Sequence, residues 1–78
     1  MPEPQLDIEK IDEAVLALLL LGLHEHNRVW KGFDWDALDR LHAKGLISDP
    51  RGKAKSVIMT EEGRARAEIL LAQMFERA

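Results

Sequence analysis

The sequence contains no cysteine and no tyrosine, and only 5% of its residues are aromatic. Without cysteine there is no disulfide framework, no thiol nucleophile and no thiolate metal site, so a reducing compartment is the natural location. The longest apolar stretch, residues 14–23, is interrupted by Gly22 and is far shorter than the roughly 20 residues that cross a bilayer. The N-terminus lacks the cationic segment of a secretory signal. We therefore expect a cytoplasmic protein without a membrane span.

The excess of one sign of charge over the other is also small. The chain carries 14 acidic and 11 basic residues, a net charge of −3, which gives no global attraction to nucleic acid or to an anionic membrane. Its 78 residues suffice for one domain that buries only about 63% of the extended chain's surface. We predict a loose arm over residues 1–5 and a single domain over residues 6–78 with a thin core.

Apolar spacing predicts two terminal helices. Asp7 is placed to cap a first helix that reaches about Leu21, where Gly22 would supply a left-handed stop. Residues 14–21 of this helix are apolar all round, so we expect its second half to be covered on both sides. Thr60 is placed to cap the last helix, whose apolar stripe includes Ala67, Leu70, Leu71 and Met74.

The middle of the chain combines turns, a short helix and two candidate strands. Residues 23–32 are polar and mixed in charge, which fits a loop or a short, poor helix. Asp34 then caps a helix over residues 34–44 that points Leu38 and Leu41 inward and ends at Gly45. Residues 46–48 and 55–59 are predicted to pair as a hairpin. The expected fold class is mainly α with a small β-hairpin.

Residues 38–71 resemble the second half of a MarR/PadR-type winged helix. The resemblance rests on Leu38 and Leu41, on Lys44-Gly45-Leu46-Ile47, and on Thr60-Glu61-Glu62-Gly63-Arg64 after a two-stranded wing over residues 46–59. It implies a degenerate winged helix-turn-helix-like domain in which the helix over residues 34–44 stands at the DNA-recognition position. Only residues 23–32 are available for the supporting helix, so that helix is expected to be shortened or missing.

Nearly the whole chain also resembles a family of short bacterial proteins with no assigned function. The segments that carry this resemblance are residues 10–19, 30–38 and 53–57. This second resemblance implies a shared fold and no particular activity.

Local charges argue for and against DNA binding. The helix over residues 34–44 has Asp34, Asp36 and Asp39 toward its N-terminus, and these acids repel phosphates. The wing and the following helix are more basic. The candidate contacts to nucleic acid or to an acidic partner are Arg51, Lys53, Lys55, Arg64 and Arg66. A solvated edge protected by lysines is the simpler interpretation.

Three of the four aromatic residues, Trp30, Phe33 and Trp35, fall within six positions, close to Arg28 and Lys31. One interpretation is a stacking platform for single-stranded nucleic acid. The favoured one is that the rings close a side of the core that has few aliphatic residues. Trp35 is the ring least expected to be buried, which makes it a candidate anchor for a partner protein.

Catalytic patterns are absent from the sequence. His24 and His26 lie two positions apart without the third and fourth ligands that a metal site needs. The only serines, Ser48 and Ser56, have no glycine elbow, and the carboxylates are expected on caps and exposed faces. We predict no enzyme, no catalytic residue, no metal and no cofactor.

Excess apolar surface on the terminal helices predicts a homodimer. The expected interface residues are Val15, Leu16, Leu19, Leu20, Ile69, Leu71 and Phe75. The alternative is a monomer in which the two helices enclose the wing. As function we predict a non-catalytic interaction module that binds a protein partner or itself. The alternative is a DNA-binding transcriptional regulator that contacts phosphates through the basic wing.

Overall fold

The computed structural model describes residues 5–52 and 54–77. This part of the chain forms three helices and a two-stranded antiparallel sheet, a mainly helical fold compatible with a winged-helix-like layout. The elements in chain order are α1 (Ile8–Leu20), β1 (Arg28–Trp30), α2 (Trp35–Ala43), β2 (Ser56–Ile58) and α3 (Glu61–Phe75). Most of the predicted arm over residues 1–5 lies outside the described residues.

All three helices begin at the caps that the sequence predicts. The side chains of Asp7, Asp34 and Thr60 each accept a hydrogen bond from the backbone N–H three residues further on, at 3.1, 3.2 and 2.9 Å. These bonds satisfy N–H groups that have no partner within the helix. Each helix start is therefore fixed by one side chain.

The glycines behave differently at the ends of the first two helices. Gly45 has a φ of +76° and ends α2 as predicted. The prediction that Gly22 supplies a left-handed stop is wrong, because Gly45 is the only glycine with positive φ among the described residues. A Cβ atom at Gly22 would stand 3.4 Å from the indole ring of Trp30, which is an ordinary van der Waals contact.

The sheet pairs different segments from those predicted. β1 lies within residues 23–32, which were expected to be a loop or a poor helix, and Val29 pairs with Val57 of β2. The predicted partner, residues 46–48, is formed in part. It makes an isolated antiparallel bridge between Ile47 and Met59, flanked by hydrogen bonds from the Ser48 N–H to the Ile58 carbonyl at 2.8 Å and from the Thr60 N–H to the Leu46 carbonyl at 3.1 Å. Val29 is the one fully buried position of β1. A three-residue strand with one buried side chain is too short for its alternation to be recognised.

The core lies where α1 crosses α2 and α3 and where the inner face of the sheet closes the bundle. Its largest fully buried hydrophobic side chains are Leu16, Leu19, Leu38, Leu41, Ile47 and Val29. The inward positions of α2 are thereby confirmed. Residues 14–20 of α1 are all buried or half-buried, as expected, whereas Leu21, just after the helix, is 70% exposed.

Candidate functional site

The aromatic residues lie on the surface. The prediction that they close the core is wrong: Trp30 is 56% exposed, Trp35 is 55% exposed, and Phe33 is also exposed. The core does not need the rings because aliphatic side chains from all three helices already fill it. Trp35, the candidate anchor, does present its ring to solvent.

Of the five basic residues predicted as contacts, the four that the structure describes do not form one unpaired patch. Arg51 and Arg64 are each in an ion pair, with Asp39 at 2.9 Å and with Glu68 at 3.3 Å. Arg66 lines a cleft together with three glutamates. Lys55 is exposed, and Lys53 lies outside the described residues.

The residues predicted for the dimer interface divide into two groups. Val15, Leu16 and Leu19 are buried within the chain's own core, so they offer no surface to a partner. The other four lie at or near the surface: Leu20 and Leu71 are half-buried, and Ile69 and Phe75 are exposed.

An apolar groove runs between the end of α1 and the second half of α3. Its volume is about 530 Å³, and it is lined by Leu20, Leu21, Glu68, Leu71, Ala72, Phe75 and Glu76. Of this lining, Leu21, Glu68, Ala72 and Glu76 were not predicted from the sequence. The signal for Leu21 was its position as the last leucine of an unbroken apolar run.

Comparison with known proteins places the chain in a family. Residues 7–77 match the family described as "Domain of unknown function (DUF6429)". The chain belongs to the DUF6429 family. A relative from Sinorhizobium fredii (strain NBRC 101917 / NGR234), "Uncharacterized protein y4hR", is 53% identical over 73 residues, which cover 94% of this chain and 99% of the relative. No solved structure matches the chain significantly. The resemblance to short bacterial proteins of unassigned function is thus confirmed.

This DUF6429 chain also has a polar cleft of about 410 Å³ where α1, α3 and the end of α2 meet. Charged residues of both signs line it: Glu9, Asp12, Glu13, Lys44, Glu62 and Arg66. The apolar lining consists of Leu16, Leu41, Leu46 and Leu70. Most of this charged ring is open to water, so the cleft is a solvated junction between helices.

One carboxylate of this cleft departs from the expectation that acids lie on caps and exposed faces. Asp12 is only 2% exposed, and its two oxygens accept hydrogen bonds from Nε and Nη2 of Arg40 at 2.7 and 2.8 Å. This bidentate pair joins α1 to α2. The pKa of Arg40 is raised mainly by its hydrogen bond to Asp12; desolvation opposes this shift, and the negative charges of Asp12, Asp36 and Asp34 add to it.

Two of the three histidines make structural contacts. Nδ1 of His24 lies 2.9 Å from the Gly22 carbonyl, and Nδ1 of His42 lies 3.1 Å from the Ile47 carbonyl. Across residues 5–52 and 54–77, no three metal-ligating side chains converge. In the same part of the chain, every helix is too short or too polar to cross a membrane.

Proposed function

We propose that this DUF6429 protein is a non-catalytic interaction module that pairs with a second copy of itself. The observation that carries the proposal is the apolar groove between α1 and α3, with Leu21 and Phe75 open to solvent at its edges. Adjacent apolar side chains exposed along one groove mark an interaction site more often than scattered ones do.

The surface area supports a second copy as the occupant. The chain exposes 5811 Å², whereas a compact monomer of 8.9 kDa exposes about 4,800 Å². The excess of about 1,000 Å² is close to the roughly 800 Å² that each partner buries in a stable interface. The molecule measures 45 × 35 × 19 Å, and a slab this thin gains burial when two copies stack.

The charges at the groove are compatible with self-association. Glu68 stands on the rim and is paired with Arg64 at 3.3 Å, which reduces the repulsion between two acidic rims. The remaining lining is apolar apart from Glu76. Hydrophobic contact is therefore the main expected driving force.

We further propose that the domain is a degenerate winged helix. The order α1, β1, α2, β2, α3 supports this, with a strand and turns between α1 and α2 where the supporting helix of a helix-turn-helix would stand. Loss of that helix removes the usual brace of a recognition helix, which favours protein contacts over DNA contacts.

The dimer is tested by sedimentation of wild type and of Phe75→Gln. We expect the wild type to sediment at twice 8.9 kDa at about 100 µM, and Phe75→Gln to weaken association at least about tenfold. Phe33→Gln is the matched control, because it changes the chain's only other phenylalanine, which does not line the groove. A wild type that stays at 8.9 kDa, or two variants with the same effect, would contradict the proposal.

The DNA-binding alternative has weaker support. The N-terminal turn of α2 exposes Asp36, and Arg51 is paired with Asp39. We expect fluorescence anisotropy with a mixed-sequence duplex at moderate salt to show no complex tighter than a dissociation constant of roughly 10⁻⁴ M, the value typical of weak non-specific binding. Binding that falls steeply with salt and is lost in Arg51→Gln/Lys55→Gln would establish the alternative instead.

A further inference from the structure

The side of α3 that lines the apolar groove is a single row of residues along the helix. The row consists of Glu68, Leu71, Ala72, Phe75 and Glu76, whose spacing of three and four positions places their side chains on one side of the helix. A small residue, Ala72, stands at the centre of the row, and a glutamate stands four positions from it at each end. Reversing the direction of the row therefore exchanges glutamate for glutamate.

A second copy that occupies the groove presents the same row. In a two-fold symmetric dimer, when residue i contacts residue j of the partner, residue j also contacts residue i. Two arrangements of the α3 helices obey this rule with Ala72 at the crossing point. In the parallel one each glutamate lies opposite its own counterpart, and in the antiparallel one Glu68 lies opposite the partner's Glu76. Alanine at the crossing lets the two helix axes approach to about 8 Å in either case.

The carboxylate at the C-terminal end of the row lacks a cation within its own chain. Glu76 follows the last residue of α3, where the helix dipole favours a positive charge and disfavours a negative one. Among the ion pairs formed within residues 5–52 and 54–77, none includes Glu76. An interface that supplies a cation to Glu76 is therefore favoured over one that supplies another carboxylate.

The antiparallel arrangement supplies that cation. Arg64 is exposed, lies one turn before Glu68, and has its Nε 3.3 Å from an oxygen of the Glu68 carboxylate. When Glu68 lies opposite the partner's Glu76, the same guanidinium reaches both carboxylates. In the parallel arrangement the two copies of Glu76 face each other, which adds repulsion at the end of the helix where a negative charge is already unfavourable.

We propose that two copies associate through an antiparallel pair of α3 helices that cross at Ala72. In this arrangement Arg64 of each copy bridges its own Glu68 and the partner's Glu76. Phe75 of each copy packs against the partner's row between Glu68 and Ala72. The inference rests on the dimer proposed above and adds the direction of the helices and the residues that determine it.

Engineered cysteines test the direction of the helices, because the chain contains no other cysteine. Full-length Ala72→Cys, Glu68→Cys and Glu76→Cys are oxidised separately at the concentration used for sedimentation and run on a non-reducing gel. A disulfide needs Cα atoms within about 7 Å of each other. We expect Ala72→Cys to cross-link with itself. Glu68→Cys and Glu76→Cys should each fail to do so, because equivalent positions then lie about 12 Å apart along the helix axes, but a mixture of these two variants should cross-link.

Gln73→Cys is the matched control for cross-linking by random collision. Position 73 is exposed and adjacent to Ala72 but does not line the groove, so this variant should remain uncross-linked. Self-cross-linking of Glu68→Cys or Glu76→Cys would overturn the antiparallel arrangement, and so would a wild type that is dimeric in sedimentation while the mixture fails to cross-link. A wild type that stays at 8.9 kDa would contradict the dimer itself.

Sedimentation of Arg64→Gln tests the bridge, with Arg66→Gln as the matched control. Arg66 is an exposed cation on the same helix, but it lines the polar cleft instead of the groove. Arg64→Gln should weaken association at least about threefold, because it leaves two facing carboxylates without their cation, whereas Arg66→Gln should leave it unchanged. Adding Glu76→Gln to Arg64→Gln should restore most of the loss. Equal effects of Arg64→Gln and Arg66→Gln, or a double variant that associates no more tightly than Arg64→Gln, would overturn the bridge.

Discussion

Gly63→Ala should lower the free energy of unfolding by about 3 kcal/mol, although alanine is the better helix former. Gly63 lies in the first turn of α3 and is buried. A Cβ atom built there would overlap the carbonyl oxygen of Leu46. That oxygen cannot easily move, because it accepts a hydrogen bond from the Thr60 N–H, 3.1 Å long, and the Thr60 hydroxyl is shared between it and the Gly45 carbonyl at 3.1 and 2.8 Å. The added methyl group therefore separates α3 from the loop after α2 or breaks the cap.

Urea denaturation followed by circular dichroism measures the effect. The matched control is Gly52→Ala, because a Cβ atom there has no neighbour within 4 Å and the backbone does not have positive φ. Gly52→Ala should be neutral or slightly stabilising through the unfolded state. Helix propensity alone predicts that Gly63→Ala raises the free energy of unfolding by up to about 1 kcal/mol. If that is the result, the close approach to Leu46 is not a constraint on the fold.

The sequence predicts those parts of the fold that depend on local chemistry. A carboxylate or hydroxyl before an apolar run marks a helix start, since the same side chain bonds the N–H three residues later. Asp7, Asp34 and Thr60 were found in this way, and so was the glycine that ends α2. These signals need no knowledge of what the segment packs against.

The pairing of the strands depends on distant residues and could not be predicted in the same way. Residues 46–48 and 55–59 are neighbours in sequence, so a hairpin was the natural expectation. In the structure these segments meet only at the bridge between Ile47 and Met59, and β2 pairs along its length with β1, which lies on the other side of α2 in the chain. A strand with a single buried residue, Val29, gives almost no periodic signal.

The candidate surfaces were predicted only in part. Ile69 and Phe75 were expected at an interface and are exposed. Leu16 and Leu19 were expected there too, but the core of this chain takes them. Apolar periodicity says that a residue is covered without saying which chain covers it. The aromatic residues were predicted to be buried and are exposed. Only the packed structure shows that aliphatic side chains fill the core without their rings.

Asp12→Ala should lower the free energy of unfolding by about 2 kcal/mol, because it removes two charge-assisted hydrogen bonds from a buried position. Arg40→Ala should lower the urea midpoint further, since it leaves the Asp12 carboxylate buried without its partner. The double variant tests the pair itself. Because the double variant leaves no unpaired charge, its free energy of unfolding should be no lower than that of Arg40→Ala alone. The two single effects would then depart strongly from additivity.

The exposed pair of Asp39 and Arg51 is the control for this cycle. Their nitrogen and oxygen atoms are 2.9 Å apart, against 2.7 Å in the buried pair, but the Arg51 side chain is 73% exposed. Asp39→Ala should therefore lower the free energy of unfolding by less than about 1 kcal/mol, and its effect should add to that of a change at Arg51. If Asp12→Ala and Asp39→Ala lower the free energy of unfolding by the same amount, the burial of Asp12 does not strengthen its ion pair. A cycle at positions 12 and 40 that is additive would mean that α1 and α2 are joined by packing alone.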